Sequence, residues 1–397
     1  MVSRIVKRLA IVAAICLGGI FALLTLLWVE HRTPFDLPAS TGRFPVGRTT
    51  YAWVNDAAGD NLAPTSSKRH VLVWIWYPAA PSPSAQPADY QPAPWRAALA
   101  RYSGPLITNF LTRDPAIVRT HSAADPPVSP AQPSYPVVIM RAGGGALTTE
   151  FTTLAEDLAS HGYIVAGFDA PYRTAVVVLP DGRVIERPPA LNPENLPDAD
   201  QMRLINRILP MWVEDTRFVV DQLARLNADP TGRFTGRLDL QHLGMFGHSF
   251  GGATALQFCH DDARCIAGID IDGNPFGSVV QDGLTQPFLI LLSDHGSEAG
   301  SGEVYAKIRS IFDRLPNGRL MLMIRGANHF SFSDSILLRS QYVVNTIQRI
   351  RRGPDARRGL AITADYVHTF FDVHLKGAFP EGLDTLRTRY PEVQLLH

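Results

Sequence analysis

The segment from His242 to Cys259 carries a serine in a setting typical of an enzyme nucleophile. Residues 247–251 read GHSFG, which matches the G-x-S-x-G motif. The apolar run before the motif, Leu243 to Phe246, predicts a buried strand, and the small residues after it, as far as Phe258, predict a helix. Flanking glycines permit the tight turn that lifts the hydroxyl of Ser249 above the edge of a sheet. The segment therefore predicts a serine nucleophile at a strand-to-helix turn.

A serine hydroxyl is a weak nucleophile at neutral pH and needs a histidine base, which a carboxylate orients. In folds built around this motif, the acid and then the histidine follow the serine along the chain. Three later histidines are candidates by position, namely His329, His368 and His374. His329 follows a predicted strand, RLMLMIR, in a loop where a base is expected, whereas the other two fall in a predicted C-terminal helix. We therefore predict that His329 is the base.

The acid has more than one candidate. Asp270 and Asp272 end the predicted strand CIAGIDID, and Asp294 ends the predicted strand FLILLSD. The chain turns at Gly273, which favours Asp272 over Asp270. Both strand ends lie where an acid is expected, so spacing alone leaves Asp272 and Asp294 as alternatives.

The N-terminus carries a long apolar segment. Leu9 to Val29 comprises 21 uncharged residues, enough to cross a bilayer as a helix. Basic residues precede the segment, so the positive-inside rule keeps the N-terminus cytoplasmic and predicts export of the rest. A cleaved signal peptide is the alternative, but the segment is longer than a usual signal and no A-x-A site follows it. We therefore predict a single-pass anchor in residues 1–30, a tether in residues 31–44 and a periplasmic or extracellular catalytic domain.

Composition limits the possible partners. The 37 basic and 37 acidic side chains of this 397-residue chain balance, which argues against a nucleic-acid partner. No spacing typical of a metal site is present, and serine hydrolysis requires no cofactor. Cys259 and Cys265 lie six positions apart, and they form either a disulfide or two buried thiols. The sequence does not indicate an oligomeric state.

Strands and helices alternate from Pro136 onwards, which predicts a mostly parallel sheet flanked by helices. Two earlier β-rich runs, Thr49–Val54 and Val71–Tyr77, predict an opening antiparallel pair. The proline-rich stretch Arg173–Pro210 interrupts the alternation and predicts an insertion near the pocket. A helix is predicted after it, over Trp212–Leu226. With the serine motif, this order predicts an α/β-hydrolase fold in one catalytic domain, residues 45–397.

Several stretches resemble the platelet-activating factor acetylhydrolase family, the plasma and type II enzymes among the α/β hydrolases. The matching stretches cover most of residues 136–334 and read DLASHGYIVAGFD, GHSFGGAT, GIDIDGNPF and IRGANHFSFSD. In that family the acid follows the strand after the serine helix. The resemblance therefore implies Asp272 as the acid and His329 as the base, with Asp294 as the reserve candidate.

An oxyanion hole needs two backbone N–H groups directed at the developing negative charge. The residue after the nucleophile, Phe250, is expected to supply one. The glycine-rich loop of residues 142–146 is expected to supply the other, and the resemblance implies Gly144. The sequence departs from the family here, because Ala142 stands where the family has a histidine and Gly144 replaces a bulkier donor residue.

The resemblance implies hydrolysis of short acyl groups, such as acetyl, from phospholipids through an acyl-enzyme formed on Ser249. A membrane anchor is expected to hold the site near such lipids. A polyester or xenobiotic carboxylesterase with the same three residues is one alternative, since one fold hosts many chemistries. A non-catalytic α/β-hydrolase module that only binds its ligand is the other.

Overall fold

The computed structural model describes residues 2–65, 67–82, 84–295, 301–315, 319–351 and 353–396. One twisted sheet of 12 strands forms its centre, and a separate two-stranded hairpin lies beside it. The strands are β1 (Phe35–Asp36), β2 (Val46–Gly59), β3 (Lys68–Pro78), β4 (Pro87–Asp89), β5 (Val118–Ala124), β6 (Tyr135–Arg141), β7 (Ile164–Asp169), β8 (Val176–Val178), β9 (Val184–Glu186), β10 (Leu238–His248), β11 (Cys265–Ile271), β12 (Phe288–Ser293), β13 (Leu320–Ile324) and β14 (Val393–Leu395).

Helices cover both faces of this sheet. They are α1 (Val2–His31), α2 (Ala93–Ser103), α3 (Thr152–Ser160), α4 (Asp198–Ala228), α5 (Phe250–Asp261), α6 (Val279–Asp282), α7 (Ser301–Phe312), α8 (Ser335–Leu338), α9 (Gln341–Arg351), α10 (Ala356–Lys376) and α11 (Glu381–Arg389). A π-helical turn, Ile107–Leu111, and several 3-10 turns complete the helical structure.

The strand order across the sheet is β1-β5-β2-β3-β7-β6-β10-β11-β12-β13-β14, with β4 paired to β5. The six strands from β7 to β13 in this order are parallel. The predicted opening pair is present, since β2 and β3 pair antiparallel. A mostly parallel sheet flanked by helices confirms the predicted fold class.

Side chains alternate between the two faces of the buried strands, as a period of two requires. On β6, Val138 and Met140 pack towards α3 and α10, whereas Val137 and Ile139 pack towards α4 and α5. Burial on both faces explains why the central strands read as nearly continuous apolar runs. It also holds the strand ends, where the candidate site lies, in a rigid frame.

The insertion after β7 differs from its prediction. Residues 176–186 form the hairpin of β8 and β9, and α4 begins at Asp198, well before the predicted start at Trp212. The helix continues through Pro210, which cannot donate the usual backbone hydrogen bond. Burial offsets that loss, because Leu204 and Ile208 on the early turns pack with Leu62 in a small apolar cluster.

Two further predictions concern the cysteine pair and the segment that follows the N-terminal helix. Cys259 and Cys265, at the end of α5 and the start of β11, form a disulfide, which decides between the two alternatives left by the sequence. Residues 31–44, predicted as a tether, lie against the domain, since β1 pairs with β5 and Leu37 is buried.

The N-terminal helix extends away from the rest of the chain. Residues 4–23 are exposed throughout. Arg4–His31 is long and apolar enough to cross a membrane by length and composition, a criterion that signal sequences also meet.

Candidate active site

Ser249 occupies a sharp turn between β10 and α5. Its backbone has φ 57° and ψ −124°, a conformation that costs energy for any residue with a side chain. The neighbouring glycines permit the turn: a Cβ on Gly247 would lie 2.0 Å from the carbonyl oxygen of Gly251. A Cβ on Gly251 would lie 2.2 Å from the carbonyl oxygen of Arg141 on β6. The turn has the geometry that the G-x-S-x-G motif predicts.

Asp272 follows β11 and is buried. Its backbone has φ 55°, so the strand has already ended. Ser293, at the end of β12, donates to both carboxylate oxygens, from its backbone N–H to Oδ1 and from its hydroxyl to Oδ2, each at 2.8 Å. His329 Nδ1 donates to Oδ2 at 2.7 Å, and His295 Nε2 donates to Oδ1 at 3.0 Å. Asp272 thus binds two imidazoles at once.

These hydrogen bonds determine the protonation of Asp272. Burial alone would raise the pKa of Asp272, but hydrogen bonds from His295 and His329 outweigh burial and hold that pKa well below its usual range. The carboxylate is therefore ionised at neutral pH. An ionised acid can stabilise a positively charged imidazole at the position of His329.

His329 begins a 3-10 turn in the loop after β13. The side chain of Asn328 caps this turn by accepting a hydrogen bond from Phe330 N at 2.9 Å. His248, the neighbour of Ser249, donates from Nε2 to the carbonyl oxygen of His329 at 2.7 Å, and the two rings lie 4.5 Å apart. Burial lowers the pKa of His248 to about 3, and the nearby His329 acts in the same direction, so His248 is neutral. His248 therefore holds the loop of His329 next to Ser249.

The other two acid candidates have different surroundings. Asp294 Oδ2 accepts a hydrogen bond from Gly326 N at 2.8 Å, and Asp294 N donates to the carbonyl oxygen of Ala327 at 3.0 Å. Asp294 thus supports the loop that carries His329. Asp270 is fully buried beneath the serine turn, where Oδ1 accepts from Gly273 N at 2.9 Å.

The two proposed oxyanion donors lie next to Ser249. Phe250 is the first residue of α5, so its N–H has no partner within the helix. A Cβ on Gly144 would lie 4.0 Å from the Cβ of Phe250, so the two backbones are close. A Cβ on the adjacent Gly143 would lie only 3.0 Å from the Cβ of Ser249. The glycine loop therefore approaches the serine closely.

Sequence reasoning missed His295 and Ser293. Ser293 ends β12 and His295 follows it closely, where the prediction considered only Asp294. The signal was present: alternation along FLILLSDH directs Ser293 and His295 to the same side, opposite Asp294.

The other two base candidates, His368 and His374, have partners outside the candidate site. His368 Nδ1 donates to Asp157 Oδ2 at 2.9 Å, and His374 packs 4.5 Å from the ring of Phe370.

The ligand atoms of Asp157, His161 and His368 lie within 4.8 Å of one another, which is close enough to suggest a metal site. However, the imidazole rings of His161 and His368 are stacked, with their centroids 3.9 Å apart and their planes only 16° from parallel. Because a ring nitrogen binds a metal in the plane of its ring, this arrangement does not direct both nitrogens at one ion.

Two cavities border the candidate site. A small one of about 140 Å³ is lined by Ser249, Gly144 and Phe250, together with apolar side chains of α4. A large one of about 860 Å³ is lined by His329, His295 and Ser293, and by residues of α2, the π-helical turn and α9. The serine and the histidine thus open towards different spaces.

Comparison with known proteins identifies the family. The family model described as platelet-activating factor acetylhydrolase, isoform II, matches residues 31–179 and 220–382, which is more than half of the chain. The chain belongs to this family. Membership confirms the resemblance found in the sequence. Residues 180–219, which form β9 and the first part of α4, lie outside the match.

Relatives within the acetylhydrolase family are 26–29% identical to this chain over the aligned regions. A probable 1-alkyl-2-acetylglycerophosphocholine esterase of Arthroderma benhamiae is 29% identical over 66% of this chain and 66% of its own length. The platelet-activating factor acetylhydrolase of Cavia porcellus is 26% identical over 50% of this chain and 48% of its own. The alignments thus span about half to two thirds of these relatives.

Among solved structures, a ferulic acid esterase from Streptomyces cinnamoneus is similar to this chain. The TM-score is 0.74 with 28% identity, covering 92% of this chain and all of the esterase chain. The similarity confirms the α/β-hydrolase architecture, and the names of the relatives agree with the predicted class of carboxylic ester hydrolase.

Proposed function

We propose that this protein is a membrane-anchored serine esterase that removes short acyl groups from phospholipids. The observation that carries the proposal is the position of His329, which binds Asp272 at 2.7 Å. Its ring lies 4.5 Å from that of His248, the residue before Ser249 in the strained turn. In this reading residues 45–397 form the catalytic domain, and no cofactor takes part.

In the proposed reaction, Ser249 Oγ attacks the ester carbonyl while Nε2 of His329 accepts the serine proton. Asp272 holds Nδ1 of His329 and stabilises the imidazolium. The amides of Phe250 and Gly144 bind the oxyanion, and the imidazolium then protonates the departing alcohol. Water, deprotonated by the same histidine, releases the acid from the acyl-serine.

The two cavities support the choice of substrate. The leaving alcohol receives its proton from His329, so it departs on the side of the cavity of about 860 Å³. The acyl group is then directed into the space of about 140 Å³ next to Ser249, which suits a short chain. A small acyl group on a large alcohol is the pattern of a 1-alkyl-2-acetyl phospholipid.

Membrane anchoring and export are supported by the N-terminal segment. The helical segment Arg4–His31 is long and apolar enough to span a bilayer, and its basic residues Arg4, Lys7 and Arg8 lie at its N-terminal end. The disulfide between Cys259 and Cys265 fits an oxidising compartment outside the cytoplasm.

Esters of aromatic acids or polyesters are a second candidate substrate class. The observation that favours them is the similarity to the ferulic acid esterase, which extends over 92% of this chain. Part of the wall of the small cavity also comes from residues outside the family match, including Leu191, Ile205 and Ile208. Acyl selectivity in this chain can therefore differ from that of its relatives.

A substrate panel tests the proposal. The full-length protein is assayed with phospholipids that carry acetyl, butyryl, hexanoyl or palmitoyl at the second position, and with ethyl ferulate and a soluble polyester. We expect the highest kcat/KM for acetyl and a steep fall beyond hexanoyl. A preference for ferulate or polymer would establish the second candidate instead.

Fluorophosphonate labelling tests the nucleophile separately. We expect the wild-type protein to be labelled and Ser249→Ala to remain unlabelled. Equal labelling of both proteins, or labelling of neither, would contradict the serine esterase and favour a binding module.

A further inference from the structure

The last two turns of α1 pack against the catalytic domain. Leu24, Leu27 and His31 are at least partly buried and follow the i, i+3, i+7 spacing of a single helix face. His31 also holds the chain after the π-helical turn: its Nδ1 donates to the carbonyl oxygen of Thr112 at 2.8 Å, and its carbonyl oxygen accepts from Asp114 N at 3.0 Å. The apolar helix thus joins the domain through a packed interface.

Glu30 connects the packed end of α1 to the wall of the large cavity. Its carboxylate accepts hydrogen bonds from Gln341 N at 2.8 Å and from Ser340 Oγ at 2.7 Å, at the start of α9. A negative charge at a helix N-terminus is favourable because the helix dipole is positive there. Arg113 approaches the same carboxylate at 3.6 Å. Ser340 and Arg113 both line the cavity, so the anchor touches residues of the cavity wall.

Helix α9 presents an apolar stripe to solvent. Val343, Ile347 and Ile350 are exposed and lie at i, i+4 and i+7, while the other face of the helix is buried. The π-helical turn adds two exposed apolar side chains, Ile107 and Leu111. Most of these side chains also line the large cavity, which therefore has an apolar and exposed rim. Such a surface is typical of one that meets a partner or a membrane.

We propose that the N-terminal helix and the catalytic domain act as one unit that holds this apolar rim against the lipid bilayer, so that ester substrates enter the large cavity from the membrane. The inference rests on the proposed function. Its occupant is a lipid surface because the π-helical turn of the rim contacts α1, whose free residues 9–23 are uncharged and mainly apolar.

The dimensions of α1 support this geometry. Residues 9–23 are uncharged and exposed, and 15 residues of helix span about 22 Å, less than the roughly 30 Å of the hydrocarbon layer. The turns of α1 that pack on the domain, from Leu24 onwards, therefore reach into the edge of the bilayer, and Trp28 lies at the level where interfacial aromatic residues are common. Because Glu30 binds the start of α9, that end of the rim lies beside the last turn of α1.

Selective loss of activity at a membrane tests the proposal. Leu106 and Ile350 are exposed on the two sides of the rim and do not line the cavity, so we choose the double variant Leu106→Asp/Ile350→Asp. Full-length protein in phosphatidylcholine vesicles is assayed with a vesicle-resident acetyl phospholipid and with soluble p-nitrophenyl acetate. We expect at least a tenfold loss on the phospholipid and less than a twofold change on the soluble ester. Unchanged activity on both, or an equal loss on both, would overturn the proposal.

Phe379→Asp is the matched control. Phe379 is 84% exposed, but it follows the far end of α10, a helix about 31 Å long whose first residue packs beside α8. We expect this variant to retain wild-type activity on both esters. A loss on the phospholipid equal to that of the rim variant would overturn the proposal.

Depth measurements test the same idea without activity. In a Cys16→Ser background, Ile350→Cys and Phe379→Cys are each labelled with an environment-sensitive fluorophore and exposed to vesicles that contain brominated lipids. We expect strong quenching at position 350 and none at position 379. Absence of quenching at position 350, or release of the protein from the vesicles, would refute the docking geometry even if the esterase activity is intact. Quenching without any esterase activity would refute the proposed function alone.

Discussion

Asp270 and Asp272 are separated by one residue, yet the pKa values of their carboxyl groups are shifted in opposite directions. Burial raises the pKa of Asp270 to about 8, and the negative charge of Asp272 acts in the same direction. Hydrogen bonds from His295 and His329 overcome burial at Asp272 and hold its pKa well below the usual range. At neutral pH Asp272 is therefore charged, whereas Asp270 is mostly protonated.

The first prediction distinguishes the two acids that the sequence left open. Asp272→Asn leaves the shape of the site intact but removes the charge that stabilises the imidazolium, so we expect kcat to fall by about two to four orders of magnitude. Asp294→Asn should change kcat by less than about tenfold, because Asp294 contacts the backbone of Gly326 and Ala327 rather than supplying charge to the imidazole. Steady-state kinetics on a soluble ester measure both, and the reverse ranking would reassign the acid.

A second prediction concerns His295. When protonated, this imidazole places a positive charge 3.0 Å from Asp272 and weakens the support that Asp272 gives to an imidazolium at His329. We expect His295→Gln to move the acidic limb of the kcat/KM profile to higher pH, with less than about a tenfold change at its plateau. His260→Gln, on the surface end of α5, should leave the profile unchanged. A profile of His295→Gln that coincides with wild type would show that His295 has no such influence.

Neighbouring glycines in the oxyanion loop should tolerate substitution differently. A Cβ on Gly143 would lie 3.0 Å from the Cβ of Ser249, whereas one on Gly144 would meet its nearest atom, on Arg187, at 3.8 Å. We expect Gly143→Ala to lower kcat/KM by about tenfold or more, since small displacements of a nucleophile are costly, and Gly144→Ala to stay within about threefold. Gly302→Ala, with no atom nearby, controls for the substitution itself. Equal tolerance at Gly143 and Gly144 would contradict the close approach to Ser249.

The raised pKa of Asp270 predicts how stability depends on pH. The folded protein retains a proton on Asp270 up to about pH 8, whereas the unfolded chain loses it near pH 4. Over that window the folded state binds more protons, so the free energy of unfolding falls as pH rises, by at most about 1.4 kcal/mol per pH unit for this group. Asp270→Asn removes this contribution, while Asp334, with its pKa raised by burial to about 8, retains its own.

Urea denaturation at pH 5 and pH 8 measures this effect. We expect the wild-type protein to lose more stability than Asp270→Asn on going from pH 5 to pH 8. Identical losses in the two proteins would show that Asp270 ionises at an ordinary pH.

The disulfide should make a modest contribution to stability. Cys259 and Cys265 close a short loop, for which chain entropy gives about 2 kcal/mol. We expect the double variant Cys259→Ser/Cys265→Ser to lose roughly that free energy of unfolding. Dithiothreitol should lower the Tm of the wild-type protein but not that of the double variant. An equal effect of the reductant on both would show that the pair is not bonded in solution.

Local sequence patterns predict much of the fold and of the site. Glycines around Ser249 indicate a tight turn because a Cβ there meets backbone atoms at about 2 Å. Apolar runs indicate the central strands because both faces of the sheet are buried. Three of the proposed site residues, Ser249, Phe250 and His329, follow from such local signals.

Features that depend on contacts between distant parts of the chain could not be predicted from local sequence patterns. The partners of Asp272 are decided by the order of β10, β11, β12 and β13, which brings four strand ends together from positions as far as 81 residues apart. His295 and Ser293 join the carboxylate for the same reason. The early turns of α4 remain helical because Leu62, far away in sequence, buries them. Packing and electrostatics between distant segments, rather than local pattern, therefore decide which acid meets which histidine.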